Sequence, residues 1–355
     1  MTPDTLIEVL DMHTAGEPVR IVLDGYPALA GATLLAKRRE ARERHDHLRR
    51  ALMLEPRGHA GMYGVIPVEP TAPGCAAAAL FIHNEGYSTM CGHATIALGR
   101  WLVESGRVDA HEPETRFSIE LPCGVVELAC RVEAGRVTSC AFTSVPAFLS
   151  HRDLAVAVPG IGRVTLDIAY GGAFCALLPA SALGRDFLAT PLEELAALGA
   201  RVTEAIRGGV PIAHPEEPDL GFLYGTILTD DAAIGEPTCN LCVFADRQID
   251  RSPTGSGVTA RMARDHARGL IAPGVVRRFL GPTGIAFTGE VVRPVDAPVA
   301  GGCVVRVGGA SSYTGTARFR IEADDPLAHG FALPRAYGDL PGVDAAARHR
   351  NRAAE

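Results

Sequence analysis

Residues 90–100 read MCGHATIALGR and residues 250–260 read DRSPTGSGVTA, and these two stretches decide the fold. In each, a chemically reactive side chain (Cys91 or Thr254) stands directly before a glycine, and small and apolar residues then begin a helical pattern. Only one glycine and one alanine are identical in this register, but the physical layout is the same. We therefore predict two pseudo-symmetric halves that present equivalent helix starts to one cleft.

A helix start of this kind is an anion site. Its first N–H groups have no partner within the helix, and the aligned peptide dipoles place a partial positive charge there, so a carboxylate or phosphate binds readily. The same field is expected to lower the pKa of the Cys91 thiol below its free value of about 8.5. Alternatively, Cys91 packs in the core as a small apolar residue, which is the role that we expect for Cys130, Cys140 and Cys175.

Two other ligand-binding motifs fit the sequence less well. A nucleotide phosphate loop needs two glycines separated by four residues and then Lys and Ser or Thr, and no lysine follows TGSG at residues 254–257. Cys239 and Cys242 form a CxxC pair, but a single pair without a second Cys or His pair is a weak zinc signal. The strand-like context TCNLCVFA favours core packing, so we predict no metal site.

His93 and Asp250 flank the two glycine turns. Each has an ordinary alternative, because His93 could cap a turn and Asp250 could pair with Arg251 in a loop. Together with Cys91, however, they supply a thiolate base, an imidazole and a carboxylate around one small zwitterion. The imidazole and carboxylate would hold an ammonium while the helix starts hold a carboxylate, which suits proton abstraction from an amino acid.

Strand signals outnumber helical ones, without regular alternation of the two, which favours an α+β fold over a doubly wound sheet. Alternating or short apolar runs predict strands at residues 78–83, 116–122, 124–132, 164–170, 222–228, 285–292 and 303–309. Helical periodicity predicts helices at residues 31–53, 95–105, 190–208 and 257–270.

The 355 residues are enough for about two domains. A candidate boundary lies in residues 144–162. We place the first half at residues 1–150, together with a C-terminal segment near residues 325–345, and the second half at residues 151–324. Residues 343–355 are expected to fray as a C-terminal tail.

Composition and charge limit the expected partners and location. The formal net charge of −7 argues against nucleic acid, because phosphate binding needs a basic face. The basic run at residues 36–50 interleaves acids and is predicted to form a solvated helix face. We find no secretory signal pattern and no stretch of about 20 apolar residues, so we expect no membrane partner. The nine scattered cysteines fit buried thiols in the reducing cytoplasm.

The sequence resembles the proline racemase family, and the resemblance covers nearly the whole chain. Five blocks carry it, in this order: DMHTAGEPVRIV (11–22), LMLEPRGHAGMYG (52–64), MCGHATIALGR (90–100), DIAYGGAFCAL (167–177) and DRSPTGSGVTA (250–260). The family shares the fold of diaminopimelate epimerase, which implies two strand-rich halves, each wrapped around a central helix, with the active site in the cleft between them. The resemblance further implies a homodimer that acts on an imino acid without a cofactor.

The resemblance also implies roles for individual residues. Cys91 matches the first catalytic cysteine, and His93 and Asp250 match the residues that meet the ring nitrogen of the substrate. Phe244 matches an aromatic residue of the pocket wall, although it would equally suit an ordinary core. The backbone that clasps the substrate carboxylate is matched by Gly92, Gly255, Ser256 and Gly257.

Thr254 departs from the racemase pattern. Racemases and hydroxyproline 2-epimerases of the family carry a second cysteine there, and a threonine hydroxyl is too weak an acid to exchange protons in its place. The branch with Cys and then Thr is that of the trans-3-hydroxy-L-proline dehydratases. The resemblance thus implies that Cys91 removes the α-proton and the 3-hydroxyl leaves from the same ring face, giving Δ1-pyrroline-2-carboxylate. Thr254 would be a hydrogen-bonding wall on the opposite face.

Two alternatives stay open at the level of sequence. The first is a proline racemase or 4-hydroxyproline 2-epimerase that tolerates Thr254. The second is a non-catalytic protein that binds imino acids with the same helix ends. A binding protein would be stabilised by its ligand without consuming it, whereas the enzymes would convert it.

Overall fold

The fold was analysed in a computed structural model that describes residues 4–234 and 236–334. Its helices are α1 (Leu34–Arg44), α2 (Asp46–Met53), α3 (Gly92–Glu104), α4 (Leu192–Gly209) and α5 (Gly255–Ala267). Its strands in the first part of the chain are β1 (Thr5–Thr14), β2 (Glu17–Asp24), β3 (Tyr63–Val68), β4 (Cys75–His83), β5 (Gly86–Ser88), β6 (Glu114–Leu121), β7 (Gly124–Glu133), β8 (Arg136–Thr143) and β9 (Phe148–Val158). Those in the second part are β10 (Gly162–Tyr170), β11 (Phe174–Pro179), β12 (Leu223–Thr229), β13 (Thr238–Phe244), β14 (Gln248–Ile249), β15 (Val276–Leu280), β16 (Ala286–Val295), β17 (Gly302–Gly309) and β18 (Ser311–Ile321).

The strands hydrogen-bond into two connected groups. In the first group the order is β18-β1-β2-β3-β4-β6-β7-β8, with β5 also pairing with β4. In the second group β9 to β14 pair in sequence order. Strands β15, β16 and β17 join the groups, because β17 pairs with β8 and β15 pairs with β13.

The division of the chain into halves stays a prediction. The candidate boundary at residues 144–162 is largely occupied by β9, and the late strand β18 returns to pair with β1. The predicted tail at residues 343–355 lies outside the described residues, as do residues 335–345 of the predicted C-terminal segment.

The strands pack around two central helices, α3 within the first group and α5 between the second group and the joining strands β16 and β17. Helix α3 lies against β1, β2, β7, β8 and β18, and α5 lies against β9, β10, β16 and β17. Twelve of the 13 residues of α3 and ten of the 13 residues of α5 are buried, as expected for helices enclosed by strands. The predicted α+β fold, with two strand-rich halves around central helices, is confirmed. None of the described helices is long and apolar enough to cross a membrane.

The strands face their central helix as their sequences predict. In β7 the pattern GVVELACRVE alternates, and Val126, Leu128, Cys130 and Val132 point inward while their neighbours stay more exposed. A two-residue period of this kind places every second side chain on one face of a sheet. The alternation therefore builds the apolar wall against which α3 packs.

The N-termini of α3 and α5 touch at two glycines. A Cβ atom added to Gly92 would collide with the backbone of Gly255, and one added to Gly255 would collide with the backbone of Gly92. Both helices begin at these glycines, two or three residues before the predicted starts at residues 257 and 95. The absence of a side chain is what allows the two helix ends to meet.

The predicted helix at residues 31–53 is two helices, α1 and α2, because His45 leaves the helical conformation with φ −128° and ψ 14°. The prediction of a solvated face at residues 36–50 is wrong in part. Lys37, Arg38 and Arg49 are buried, and each donates to a backbone carbonyl. The carbonyl oxygens accept the hydrogen bonds that water oxygens would otherwise accept, which reduces the free-energy cost of burying these cations.

We expect Gly255→Ala to destabilise the protein by about 1–3 kcal/mol, because the added methyl group forces the two helix ends apart. Gly208→Ala is the matched control, since an added Cβ at this position of α4 meets no atom within 4 Å. The control should gain about 0.4–1 kcal/mol through a less flexible unfolded chain. Thermal unfolding of the three proteins measures both changes, and equal melting temperatures for wild type and Gly255→Ala would contradict the close approach.

Candidate active site

Cys91 and Thr254 are the capping residues of α3 and α5. Neither side chain accepts a hydrogen bond from its own helix, and the first helical bonds are accepted by the carbonyls of Cys91 and Thr254. The N–H groups of residues 92–94 and 255–257 therefore have no carbonyl partner within their helices. Because the two helix ends touch, both dipoles place positive charge at the same point, which suits a carboxylate.

Cys91 and His93 form a thiol–imidazole pair. The Cys91 Sγ atom lies 3.2 Å from His93 Nδ1, and His93 Nε2 lies 3.2 Å from the carbonyl oxygen of Pro18. A carbonyl only accepts, so Nε2 carries the proton and Nδ1 is the acceptor that faces the thiol. Burial lowers the pKa of His93, which keeps the imidazole neutral. The thiol can therefore donate a hydrogen bond to Nδ1.

Burial raises the pKa of the Cys91 thiol well above its ordinary value, and the charges of Asp250 and Glu17 add to the rise. The Ala94 N–H group and the Tyr63 hydroxyl act in the opposite direction. The expectation of a lowered pKa is therefore wrong for the closed site, because burial outweighs the field of the helix end. A cation beside Asp250 would offset the negative charge of this carboxylate and so lower the pKa of the Cys91 thiol.

Thr254 is held in an unusual conformation next to Asp250. Its backbone has φ 64° and ψ 96°, a left-handed region that a β-branched residue rarely adopts. Its hydroxyl donates to Asp250 Oδ2 at 2.7 Å, and Asp250 Oδ1 accepts from the backbone N–H of Ser252 at 2.8 Å. Asp250 is thus fixed in the loop before α5 by bonds to Ser252 and Thr254.

Phe244 lies in an aromatic wall beside these groups. Its ring stacks on Tyr224 with centroids 5.4 Å apart and meets the edge of Tyr63 at 6.5 Å. Tyr63 in turn meets His93 edge-to-face at 5.0 Å. Phe244 is only 2% exposed and belongs to the main hydrophobic core, and its role as a wall of the substrate pocket stays a prediction.

Glu17 and Arg251 complete the site, and the sequence identified neither of them as a site residue. Glu17 is fully buried; its Oε2 accepts from the backbone N–H of Arg251 at 2.7 Å and from the guanidinium at 3.2 Å, while Oε1 has no hydrogen-bond partner. The guanidinium also donates to the carbonyl of Gly61 at 3.0 Å. Glu17, the first residue of β2, gives no sequence signal of its own, because its partner lies 234 residues away.

The structure brings the predicted site residues together in one enclosed place. Contacts between the halves close it over: besides the Glu17–Arg251 pair, the Thr283 hydroxyl donates to the carbonyl of Ala15 at 2.8 Å. Cys91 and Thr254 are only 5% and 4% exposed. The other predicted site residues are also buried: Gly92, His93, Phe244, Asp250, Gly255, Ser256 and Gly257.

The CxxC pair does not form a metal site in this fold. Cys239 is partly exposed on β13, whereas Cys242 is buried further along the same strand. Among residues 4–234 and 236–334, no group of three His, Cys, Asp or Glu side chains is arranged to hold a metal ion. All nine cysteines are free thiols, and six of them are buried, as the sequence analysis expected.

The fold and the site together define a class of α+β protein in which two strand-rich halves direct two helix N-termini, one of them bearing a thiol, at one enclosed site. The chain belongs to the proline racemase family, whose model matches residues 9–332. It is 50% identical over 335 residues to trans-3-hydroxy-L-proline dehydratase of Homo sapiens, covering 92% of this chain and 95% of that protein. The family predicted from the five sequence blocks is confirmed.

Two further comparisons show the range of the family. The chain is 40% identical over 328 residues to 3-hydroxyproline 2-epimerase of Burkholderia multivorans, covering 92% of this chain and 98% of that protein. The crystal structure of a probable proline racemase from Agrobacterium radiobacter K84, with bound carbonate, matches with a TM-score of 0.88 and 29% identity, over 95% of this chain and 99% of that one. The family therefore includes relatives with different named activities on the same fold.

Burial, together with the charge of Asp250, raises the pKa of Glu17 well above its ordinary value. The native state thus holds a proton that the unfolded chain releases near pH 4.3. Stability from this group is present below that pH and is lost as the pH rises through the native pKa. We therefore expect the melting temperature of Glu17→Gln, relative to wild type, to increase between pH 4 and pH 8.

Glu104→Gln is the matched control with the opposite sign. Partial burial acts to raise the pKa of Glu104, but the backbone N–H of Val137 and the side chain of Arg100 outweigh it and lower the pKa. Stability from Glu104 is therefore present above the unfolded pKa and lost as the pH falls through the native pKa. The Glu104→Gln variant should lose melting temperature relative to wild type as the pH rises, and parallel curves for the two variants would contradict the assignment for Glu17.

Proposed function

We propose that this protein dehydrates trans-3-hydroxy-L-proline to Δ1-pyrroline-2-carboxylate and water. The observation that carries the proposal is the unequal pair of helix caps, a thiol at Cys91 and a hydroxyl at Thr254, on either side of one enclosed site. A thiol can take a proton from carbon and a threonine hydroxyl cannot. The 50% identity to the human trans-3-hydroxy-L-proline dehydratase supports the same activity.

The substrate would be bound by its two charges. Its carboxylate would be held by the N–H groups of Gly92, Gly255, Ser256 and Gly257, at the point where both helix dipoles are positive. Its ring nitrogen would lie beside Asp250 and His93. Phe244 and its aromatic neighbours would pack against the apolar ring.

The ring nitrogen also explains how the thiol can ionise. A cationic nitrogen would balance the charge of Asp250, which otherwise raises the pKa of Cys91. The neutral His93 imidazole, with Nδ1 facing the sulfur at 3.2 Å, provides an acceptor for the thiol proton. Substrate binding thus favours the reactive form of the cysteine, and the protein alone does not have to stabilise it.

The elimination then uses one face of the ring. The Cys91 thiolate takes the α-proton, the Cα–H electron pair forms the Cα–C3 double bond, and the C3–O bond breaks. In the trans isomer the 3-hydroxyl shares a ring face with the α-hydrogen, so the new Cys91 thiol can protonate the departing oxygen to give water. The enamine tautomerises to the cyclic imine, and the thiolate is regenerated.

Thr254 would prevent return of a proton from the opposite face. Its hydroxyl already donates its proton to Asp250 at 2.7 Å, so this proton does not point toward the substrate Cα atom. A second thiol at this position would protonate the planar intermediate and give the opposite configuration at Cα. The hydroxyl therefore favours dehydration over epimerisation.

We infer a cytoplasmic homodimer that works without a cofactor. The nine free cysteines support a reducing compartment. The thiol, imidazole and carboxylate are enough for the proton transfers written above. The family supports the dimer and a small imino acid as the partner, and the negative net charge is unfavourable for nucleic acid.

The test is incubation with trans-3-hydroxy-L-proline, its cis isomer, trans-4-hydroxy-L-proline and L-proline, with assays for imine and for stereoisomers. We expect imine from the first compound, measured by coupling to an imine reductase. Cys91→Ser should reduce this turnover by at least about 10³-fold, because an alcohol replaces the ionisable base. Inversion of any substrate without imine formation would instead favour an epimerase, and thermal stabilisation without conversion would favour a binding protein.

We expect Thr254→Cys to gain epimerisation of 3-hydroxyproline or proline, because it places a proton donor on the second face. Chiral chromatography after incubation in D2O would detect the inverted isomer with deuterium at Cα. Thr254→Ser is the matched control, since it keeps a hydroxyl that can bond Asp250 and should give no inverted product. Absence of inversion in the cysteine variant would contradict our account of Thr254.

A further inference from the structure

The hydroxyl of Tyr63 is a buried polar group beside the Cys91 thiol, whose pKa it acts to lower. Tyr63 is the first residue of β3 and is 1% exposed. Its hydroxyl has no hydrogen-bond partner among the described residues. Buried polar groups in folded proteins are nearly always paired, so an unpaired hydroxyl beside a ligand site points to a group on the ligand.

The hydroxyl lies on the Cys91 side of the site. The Tyr63 ring meets His93 edge-to-face at 5.0 Å, and His93 Nδ1 is 3.2 Å from Cys91 Sγ. The polar groups around the hydroxyl are the Cys91 thiol and the hydroxyls of Ser88 and Tyr224. The Ser88 hydroxyl donates its proton to the carbonyl of Met90 at 2.8 Å, so it cannot also donate to the Tyr63 oxygen.

The ring of Tyr63 is held firmly in this position. It stacks on His83, its partner across the β3–β4 pair, with centroids 5.6 Å apart, and it meets the edge of Phe244 at 6.5 Å. Burial lowers the pKa of His83 to about 3, so the stacked imidazole stays neutral. Burial also raises the pKa of Tyr63 well above its ordinary value, so its hydroxyl stays protonated and can act only by donating or accepting a hydrogen bond.

We propose that the Tyr63 hydroxyl donates a hydrogen bond to the 3-hydroxyl oxygen of the substrate and so selects and activates the leaving group. This rests on the proposed function, in which the 3-hydroxyl and the α-hydrogen both face Cys91. Tyr63 keeps its proton: the oxygen leaves with the C3–O electron pair and takes the proton that Cys91 removed. The hydrogen bond stabilises the negative charge that develops on the departing oxygen.

The same contact explains selection for a 3-hydroxylated ring. A substrate without this hydroxyl would leave the tyrosine oxygen unpaired in a buried site, and sites built to bond a hydroxyl discriminate strongly against ligands that lack it. In the proposed mechanism Cys91 meets the 3-hydroxyl oxygen only as it departs, so recognition of this group in the bound substrate is left to Tyr63. Tyr63 is therefore both a catalytic and a specificity-determining residue of this proposal.

Tyr63→Phe in D2O tests the proposal. We expect dehydration of trans-3-hydroxy-L-proline to fall about 100-fold, while the unreacted substrate gains deuterium at Cα, because Cys91 still removes the proton but the hydroxyl no longer leaves readily. Mass spectrometry of recovered substrate measures this exchange. Tyr170→Phe is the matched control, since it removes another buried, unpartnered hydroxyl from the second core cluster, and it should keep turnover within about two-fold.

Three results separate the possibilities. Turnover by Tyr63→Phe above one fifth of wild type would overturn the proposal. Loss of both dehydration and Cα exchange, with an unchanged melting temperature, would also overturn it, because the effect of Tyr63 on the Cys91 thiol would then account for its whole role. Failure of the wild-type protein to form imine would overturn the proposed function itself, which distinguishes it from failure of the Tyr63 assignment.

Discussion

The contact between the N-termini of α3 and α5 is the constraint on which the rest of the structure depends. Gly92 and Gly255 allow the two helix ends to meet with no side chain between them. This contact brings two sets of unpaired N–H groups to one point and places Cys91 and Thr254 on either side of it. The surrounding strands support this arrangement, because most residues of each central helix are buried among them.

Burial of the site disfavours the charged forms of its side chains, and a zwitterionic ligand would offset this effect. Burial raises the pKa of both the Cys91 thiol and the Glu17 carboxyl and lowers the pKa of His93, so the closed protein favours neutral forms of all three groups. A substrate that carries its own positive nitrogen and negative carboxylate would supply the missing charges. The Arg251 guanidinium is already bonded to Glu17 and to the carbonyl of Gly61.

One position separates the proposed dehydration from the inversion chemistry named for other family members. The helix cap of α3 is a thiol, and that of α5 is a hydroxyl already bonded to Asp250. The left-handed backbone of Thr254 shows that this position is imposed by the fold, because its own side chain disfavours it. The two-fold layout of the site therefore fixes where a second acid could stand, and a single side chain decides whether one is present.

Repeated local patterns made much of the fold predictable. The alternation in β7 and the helical periods of α3, α4 and α5 were visible because they extend over many residues. The long strands β1, β2 and β18 were not predicted. The pairing of β1 with β18 joins opposite ends of the described chain and leaves no local signature, whereas β1 and β2 form a local hairpin that the sequence analysis missed. The same limit applied to Lys37, Arg38 and Arg49, whose burial depends on carbonyls supplied by other segments.

The sequence by itself determined which chemical groups are present and which stand at a glycine turn: Cys91, His93, Asp250 and Thr254. Tertiary structure alone decided what each group faces and how strongly it is shielded from water. Glu17 acquires its partner across 234 residues, and the pKa of Cys91 moves in the direction opposite to that expected from its helix position. The physical reason is that distance and desolvation are properties of the packed chain, whereas residue type and local turn geometry belong to the segment itself.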